Sequence, residues 1–238
     1  MNSNLVTRRS VVRAASAAVA LPALGMPRIV PAAPTLLRMG VGSQVTSLDP
    51  EYHNISPNNA FASMVFDALV STDGNSRLHP GLALSWKTLN DTLWEFKLRP
   101  GVTFHNGKPF TADDVVFTFE RIAAYKNSPG SYRTYIYSIA KAEIIDPLTL
   151  HLHTRAPDPL LPGGLAQIWI LNRATHSDAT TADFNSGKAA IGTGPYNVTS
   201  VRLGNQADLE RNESYWRGPG EWQRVSYRQI TNEGARAA

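Results

Sequence analysis

The sequence predicts a mixed α/β domain, in which α+β layers combine sheet with separate helices instead of regular βαβ repeats. Two patterns predict this class. Apolar and polar residues alternate along several short segments, which is typical of strands with one buried face. In two longer segments, 58–69 and 112–123, apolar residues recur at helical spacing, which is typical of helices that pack on a sheet.

The first predicted elements lie before residue 75. Residues 36–41 alternate weakly and are the first expected strand, and Ser47-Leu48-Asp49-Pro50 is expected to turn the chain. The predicted helix over 58–69 has one apolar face, formed by Phe61, Val65, Ala68 and Leu69. Asp73-Gly74 then predicts a turn.

Residues 94–121 contain the clearest local signals. Trp94, Phe96 and Leu98 alternate with charged residues, which predicts a half-buried strand. Pro100-Gly101 fits a type II turn, after which residues 102–104 are expected to return as a partner strand. Asn106-Gly107 predicts a second turn.

A capped helix is expected to follow Thr111. Its hydroxyl can cap the amide three residues on, and Asp113 and Asp114 lie at the positive end of the helix dipole. An apolar stripe follows, made of Val115, Val116, Phe119, Ile122 and Ala123. The two aspartates could instead indicate acid–base chemistry, but adjacent residues on a helix point in different directions, which favours capping.

The second half of the chain predicts more strands and no catalytic motif. Residues 141–145 and 148–153 form an expected hairpin at Asp146-Pro147, and further strands are expected at 196–203, 207–210 and 223–230. His151 and His153 have a spacing compatible with a metal site, but the sequence has no cysteine and places no third ligand nearby. Gly192-Thr193-Gly194 is too short for a dinucleotide motif, and no GxSxG elbow is present. We therefore predict no metal, no cofactor and no enzymatic activity.

Residues 1–32 are predicted to be a twin-arginine signal peptide. Arg8 and Arg9 precede the mostly apolar run 14–24, and no acidic residue occurs before Asp49. The alternative is a cytoplasmic protein with a basic, amphipathic start. Cleavage is expected between Ala32 and Ala33, with Ala23-Leu24-Gly25 as the alternative site, and export places the product in the periplasm. Because there is no cysteine, we expect no lipid anchor.

The basic surplus of the chain falls within this leader. The formal net charge is +4. Four arginines would leave with the signal peptide, namely Arg8, Arg9, Arg13 and Arg28, so the mature chain is expected to have no net charge. A nucleic-acid partner is therefore not expected.

Six blocks of sequence resemble one known family in their order. They are Ser47-Leu48-Asp49-Pro50, Phe66-Asp67-Ala68-Leu69-Val70, Pro80-Gly81-Leu82-Ala83 with Ser85-Trp86, residues 94–121, Gly192-Thr193-Gly194-Pro195-Tyr196, and Glu210-Arg211-Asn212 with Tyr215-Trp216. The chain resembles the extracytoplasmic solute-binding proteins of ABC transporters, family 5, the peptide, oligopeptide and nickel type. The resemblance implies a type II periplasmic-binding-protein-like fold.

The same resemblance implies a division of the chain and a set of partners. Residues 33–238 are expected to be the N-terminal lobe, truncated, with the second lobe missing. Family members close two lobes around a peptide or small-molecule ligand and deliver it to an ABC permease and ATPase complex. A companion chain would then have to supply the second lobe, and binding by one lobe alone is expected to be weak or absent.

Ligand-binding residues are implied by the resemblance at five positions. The segment after the Ser-Leu-Asp-Pro turn indicates Asn54 and Ser56. The segment after the helix of residues 112–123 indicates Tyr132 or Tyr135, for which a tyrosine on a surface loop is the alternative. Trp169 can line the cleft, but a tryptophan between two isoleucines is also typical of a core.

Two other functions remain open from the sequence. An exported enzyme can use the twin-arginine route, which often carries folded, cofactor-loaded proteins. A fragment of this kind can also dock on the permease through its surface without any ligand.

Overall fold

The computed structural model of the chain describes residues 35–237, which form two four-stranded sheets, a small two-stranded sheet and the helices packed on them. In chain order, the elements are β1 (Leu36–Val41), α1 (Ser56–Val65), β2 (Val70–Thr72), β3 (Leu78–Pro80), β4 (Ala83–Asn90), β5 (Leu93–Leu98), α2 (Ala112–Ala124), α3 (Arg133–Ile136), β6 (Ile139–Asp146), β7 (Thr149–Thr154), α4 (Leu161–Leu165), α5 (Arg173–His176), α6 (Thr181–Asn185), β8 (Tyr196–Arg202), β9 (Gln206–Arg211), β10 (Arg224–Gln229) and α7 (Glu233–Ala237). The predicted signal peptide, residues 1–32, lies outside the described residues.

The first sheet joins the two ends of the described chain. Its strand order is β1-β10-β9-β8, with β1 parallel to β10 and the other neighbours antiparallel. Leu209 and Val225 of this sheet belong to the same buried core as Phe61 and Val65 of α1. Burial of these side chains removes apolar surface from water and so holds α1 on the sheet.

The second sheet is made by the chain between α1 and β8. Its order is β4-β5-β7-β6, and all of its neighbours are antiparallel. Phe96 and Leu150 on its inner face share a core with Val115, Phe119 and Ile122 of α2. The α2 stripe therefore packs on a sheet, as the apolar spacing predicts, although Ala123 itself is exposed.

Most of the predicted strands and turns are confirmed. The strand at 36–41, the hairpin at Asp146-Pro147 and the three C-terminal strands occur within a few residues of their predicted bounds. Gly101 and Gly107 have φ values of +74° and +80°, which glycine adopts without the steric penalty of a Cβ. In α2, the Thr111 amide donates to the Asp114 carboxylate at 2.9 Å, which is one half of a capping box.

One predicted helix has different bounds, and one predicted strand is absent from the described residues. The helix expected over 58–69 occurs at Ser56–Val65, because Pro57 suits its first turn and Phe66 is already extended. Beyond it, the Leu69 carbonyl accepts from Gly81 and Ala83, an interaction that a helix would not allow. Residues 102–104 form no strand beside β5, because β4 and β7 occupy both of its edges.

Candidate ligand-binding site

Four of the five predicted ligand residues meet in one hydrogen-bond network, and Asn59 of α1 is its centre. The Asn59 side-chain amide donates to Asn54 Oδ1 at 2.8 Å. Its carbonyl oxygen accepts from the Tyr132 hydroxyl at 2.5 Å and from Trp169 Nε1 at 3.4 Å. Asn54 donates onward to the Tyr135 hydroxyl at 3.2 Å. The structure therefore brings together Asn54, Tyr132, Tyr135 and Trp169.

The loop before α1 and the segment before α3 are held against each other by backbone contacts. His53 forms a β-bridge with Gly130, and the Asn54 amide donates to the Gly130 carbonyl at 2.8 Å. A Cβ at Gly130 would lie 3.0 Å from the His53 ring and 3.3 Å from the Asn54 nitrogen. Glycine at this position thus permits the close approach that aligns Asn54 with Tyr132 and Tyr135.

The two tyrosines differ in their exposure. Tyr132 is only 2% exposed, so the alternative of a surface-loop tyrosine is wrong for this residue. Burial raises the pKa of the Tyr132 phenol, so the hydroxyl stays protonated. It donates a hydrogen bond to the Asn59 side chain. Tyr135 is half-buried. Tyr132 therefore holds Asn59 in place from the buried side of the network, whereas Tyr135 retains exposed surface that a ligand can reach.

Trp169 and Ser56 lie at the margins of the network. Trp169 is half-buried and packs against the core that contains Phe61 and Val65, and Ala68 pairs with it in a β-bridge. Ser56 is exposed and begins α1. It lies outside the network but one turn before Asn59 on the same helix face. A ligand role for Ser56 stays a prediction.

Two open grooves flank the network. One has a volume of about 590 Å³ and includes Tyr135, Leu160 and Gln167 in its lining. The other has a volume of about 360 Å³ and includes Gln167, Trp169 and Arg217. Gln167 lines both grooves, and each groove includes one member of the network, Tyr135 in the first and Trp169 in the second. Volumes of this order fit small-molecule and short-peptide ligands.

Asn59 is the residue that the sequence analysis missed. Asparagine is unfavourable inside a helix, because its side chain competes for backbone hydrogen bonds. The structure accounts for its presence by the three side chains that bond to it. A polar residue one turn after Ser56 was the signal available in the sequence.

The two histidines that were considered as metal ligands each pair with a carboxylate. His151 bonds to Glu95 at 3.2 Å and His153 bonds to Glu143 at 2.9 Å, so the two histidines face different carboxylates. Within residues 35–237, no group of three or more histidine, cysteine or acidic side chains is placed to hold a metal ion.

The paired aspartates and the GxG motif have structural partners. Asp113 bonds to Arg173 at 2.9 Å, and Asp114 caps α2. A Cβ at Gly192 would lie 1.9 Å from the Val65 carbonyl oxygen. The glycine is therefore required by close packing against the end of α1.

Comparisons with known proteins identify the family. Residues 77–238 match the model of the bacterial extracellular solute-binding proteins, family 5 Middle. Among curated relatives, the uncharacterized protein YhjP of Bacillus subtilis is 30% identical over 77% of this chain and 30% of its own length. The glutathione-binding protein GsiB of Salmonella paratyphi A is 28% identical over 92% of this chain and 43% of its own length.

A solved structure agrees with these sequence matches. The oligopeptide-binding protein AppA from Bacillus subtilis, in complex with a nonapeptide, has a TM-score of 0.76 and 26% identity over 85% of this chain and 42% of its own. The chain thus spans less than half the length of these relatives. Among residues 35–237, the helices are too short or too polar to traverse a bilayer. The chain has one lobe of a type II periplasmic-binding-protein-like fold and belongs to the bacterial extracellular solute-binding proteins of family 5.

Proposed function

We propose that this chain supplies the first lobe of the substrate-binding component of an ABC importer for peptides or related small solutes. The observation that carries the proposal is the Asn59 network, in which Asn54, Tyr135 and Trp169 are half-buried beside two open grooves. Family membership supports it, since GsiB is a glutathione-binding protein and AppA was solved with a nonapeptide.

The chemistry of these side chains suits a peptide backbone. An asparagine side chain both donates and accepts, as a peptide group does, and the Tyr135 hydroxyl can do the same. The indole of Trp169 offers an apolar face to a ligand side chain. Because the network already fixes Asn54 and Trp169 through Asn59, little side-chain freedom remains to be lost on binding.

Transport requires further parts that are included in the proposal. Residues 1–32 act as a twin-arginine signal peptide and place the mature protein in the periplasm without a lipid anchor. A second lobe closes over the ligand and excludes water. The closed form then docks on the ABC permease and its ATPase. The related proteins GsiB and AppA are named as binding proteins, which supports a function without catalysis.

Calorimetry of the full chain with glutathione and a panel of short peptides tests the proposal. Because one lobe leaves the polar groups of its site in contact with water, we expect dissociation constants in the range of about 0.1–1 mM for peptides. The absence of binding by every member of the panel at millimolar concentration would contradict the proposed ligand class. Sub-micromolar binding by the chain alone would contradict the need for a second lobe.

A further inference from the structure

A buried cluster of three charged side chains lies behind the loop that carries Asn54. Asp49 and Glu51 are 1% and 2% exposed. Arg121 of α2 bonds to both Asp49 oxygens, at 3.0 and 2.8 Å, and to Glu51 Oε2 at 2.6 Å. One guanidinium therefore serves two carboxylates, and the cluster has an excess acidic group.

The hydrogen bonding of the two carboxylates is unequal. Asp49 Oδ2 also accepts from the Tyr125 hydroxyl at 3.0 Å and from the Thr181 hydroxyl at 2.8 Å. Glu51 Oε1 is buried and has no hydrogen-bond partner among the described residues. A buried ionised oxygen without a donor is strongly unfavourable, whereas a neutral carboxyl loses much less on burial. Glu51 is thus the group that is better accommodated with a proton.

The surroundings of Glu51 agree with this assignment. Burial raises the pKa of Glu51 to about 8, even though Arg121 and its hydrogen bond act in the opposite direction. The titratable groups that face the cluster are Tyr125 at the C-terminal cap of α2, Tyr132 before α3 and His176 of α5. Burial raises the pKa of Tyr125 to about 12 and lowers that of His176 to about 4. Both keep one protonation state between pH 5 and 9.

We propose that Asp49, Glu51 and Arg121 form a proton-dependent latch that holds the loop of residues 47–55, and with it Asn54, against α2. With Glu51 protonated, the cluster is one carboxylate opposite one guanidinium. When the proton leaves, a second buried negative charge lacks compensation and the loop is held less firmly. The latch is independent of the identity of the ligand, because all of its groups belong to this chain.

The loop transmits the state of the latch over three residues. Glu51 donates its backbone amide to Asp49 Oδ1 at 3.1 Å, and the Tyr52 carbonyl accepts from the Ser128 hydroxyl at 2.6 Å. Asn54 lies two residues after Tyr52, and its backbone amide donates to the Gly130 carbonyl. Loosening at Glu51 is therefore expected to reach Asn54 before it reaches α1 or either sheet.

Unfolding of the full chain and of its Glu51→Gln variant across pH 5 to 9 tests the latch. Glutamine mimics a protonated glutamate, so the variant is expected to fold and to lose this titration. For a raised acid pKa, the folded state holds the extra proton, so stability falls as pH rises from 4.5 to about 8. The unfolded-to-folded ratio of wild type relative to variant should therefore rise about tenfold per pH unit in this window. A ratio that does not change with pH, or a variant that fails to fold at pH 8, would overturn the proposal.

Two measurements read the latch directly. The infrared spectrum of the wild-type chain at pH 7 should contain a protonated carboxyl band that Glu51→Gln lacks, and its absence would overturn the proposal. Hydrogen exchange at the amides of residues 51–55, corrected for the intrinsic rate, should accelerate above pH 8 in wild type but not in the variant. A His53→Gln chain is the matched control, because it removes the imidazole side chain from the same loop and leaves Glu51 in place. Loss of the effect in that control would assign it to His53 and overturn the latch.

Discussion

The indole Nε1 of Trp216 donates to the Asp67 carboxylate at 2.9 Å, which joins two parts of the chain that lie 149 residues apart. The same carboxylate accepts from the Thr193 hydroxyl at 2.9 Å and from the Tyr215 hydroxyl at 3.0 Å. Three of the blocks that identify the family therefore converge on one side chain. One block supplies Asp67 as the acceptor, and the other two supply its donors, Thr193 from one and Tyr215 with Trp216 from the other.

Asp67→Ala is expected to destabilise the lobe by about 3 kcal/mol, because three donors would lose a charged acceptor. Urea unfolding at pH 7 measures the change. Asp91→Ala is the control, since Asp91 is exposed, and it should change stability by less than about 0.5 kcal/mol. Equal effects of the two substitutions would contradict the role of Asp67.

Gly192→Ala is expected to destabilise the lobe by at least about 3 kcal/mol, because the new Cβ would lie 1.9 Å from the Val65 carbonyl oxygen. The backbone at the end of α1 would have to move. Gly163 has open space at its Cβ position, so Gly163→Ala should change stability by less than about 1 kcal/mol. Thermal unfolding of both variants measures the two changes in stability. If Gly192→Ala is as stable as Gly163→Ala, the close contact between Gly192 and the Val65 carbonyl is contradicted.

Tyr132→Phe is expected to cost about 1 kcal/mol, because the change removes the hydroxyl that donates to Asn59 at 2.5 Å and leaves the ring in place. Urea unfolding again measures the loss. Tyr137, which is 76% exposed, provides the matched control through Tyr137→Phe. A Tyr132→Phe chain as stable as this control would mean that the hydroxyl contributes nothing to the network.

Because His176 is buried, we expect the folded chain to lose stability in mild acid. Burial lowers its pKa from 6.5 to about 4, while its Nδ1 accepts from the Asn172 amide and its Nε2 bonds to the Ala189 carbonyl. Between these values the unfolded chain binds the extra proton, so the contribution of His176 is lost as pH falls from 6.5 to 4. The loss amounts to about 3 kcal/mol.

Unfolding of wild type and His176→Gln over that pH range measures the His176 contribution. The difference between the two chains should shrink as the pH falls. A difference that stays constant would contradict the assignment of a neutral, buried histidine.

The sequence predicts those parts of the fold that depend on local signals. The strand at Leu36–Val41 and the helix at Ala112–Ala124 follow from alternation, capping and apolar spacing, all of which lie within the elements themselves. The end of α1 cannot be predicted in this way. It is set by the Ala68–Trp169 bridge and by hydrogen bonds from the Gly81 and Ala83 amides to the Leu69 carbonyl. These partners are distant in sequence, so no local pattern could reveal them.

The residues that form the Asn59 network could be predicted from the sequence only in part. The family resemblance located Asn54, Tyr132, Tyr135 and Trp169, but it omitted Asn59, which connects them. A polar residue within a helix is usually expected on the solvated face, and only tertiary structure shows that two aromatic side chains approach it. The burial of Tyr132, which indicates that it holds Asn59 in place and does not contact a ligand, likewise depends on tertiary structure.

The most direct test follows the indole N–H resonance of Trp169 in the ¹⁵N-labelled full chain during titration with glutathione or a short peptide, with Trp169→Phe used to assign it. We predict that this resonance shifts with ligand in wild type and in Asn197→Ala, whose substituted residue lies on β8, but not in Asn59→Ala. A shift that persists in Asn59→Ala, or binding that leaves the Trp169 resonance unchanged, would contradict a ligand site built on Asn59.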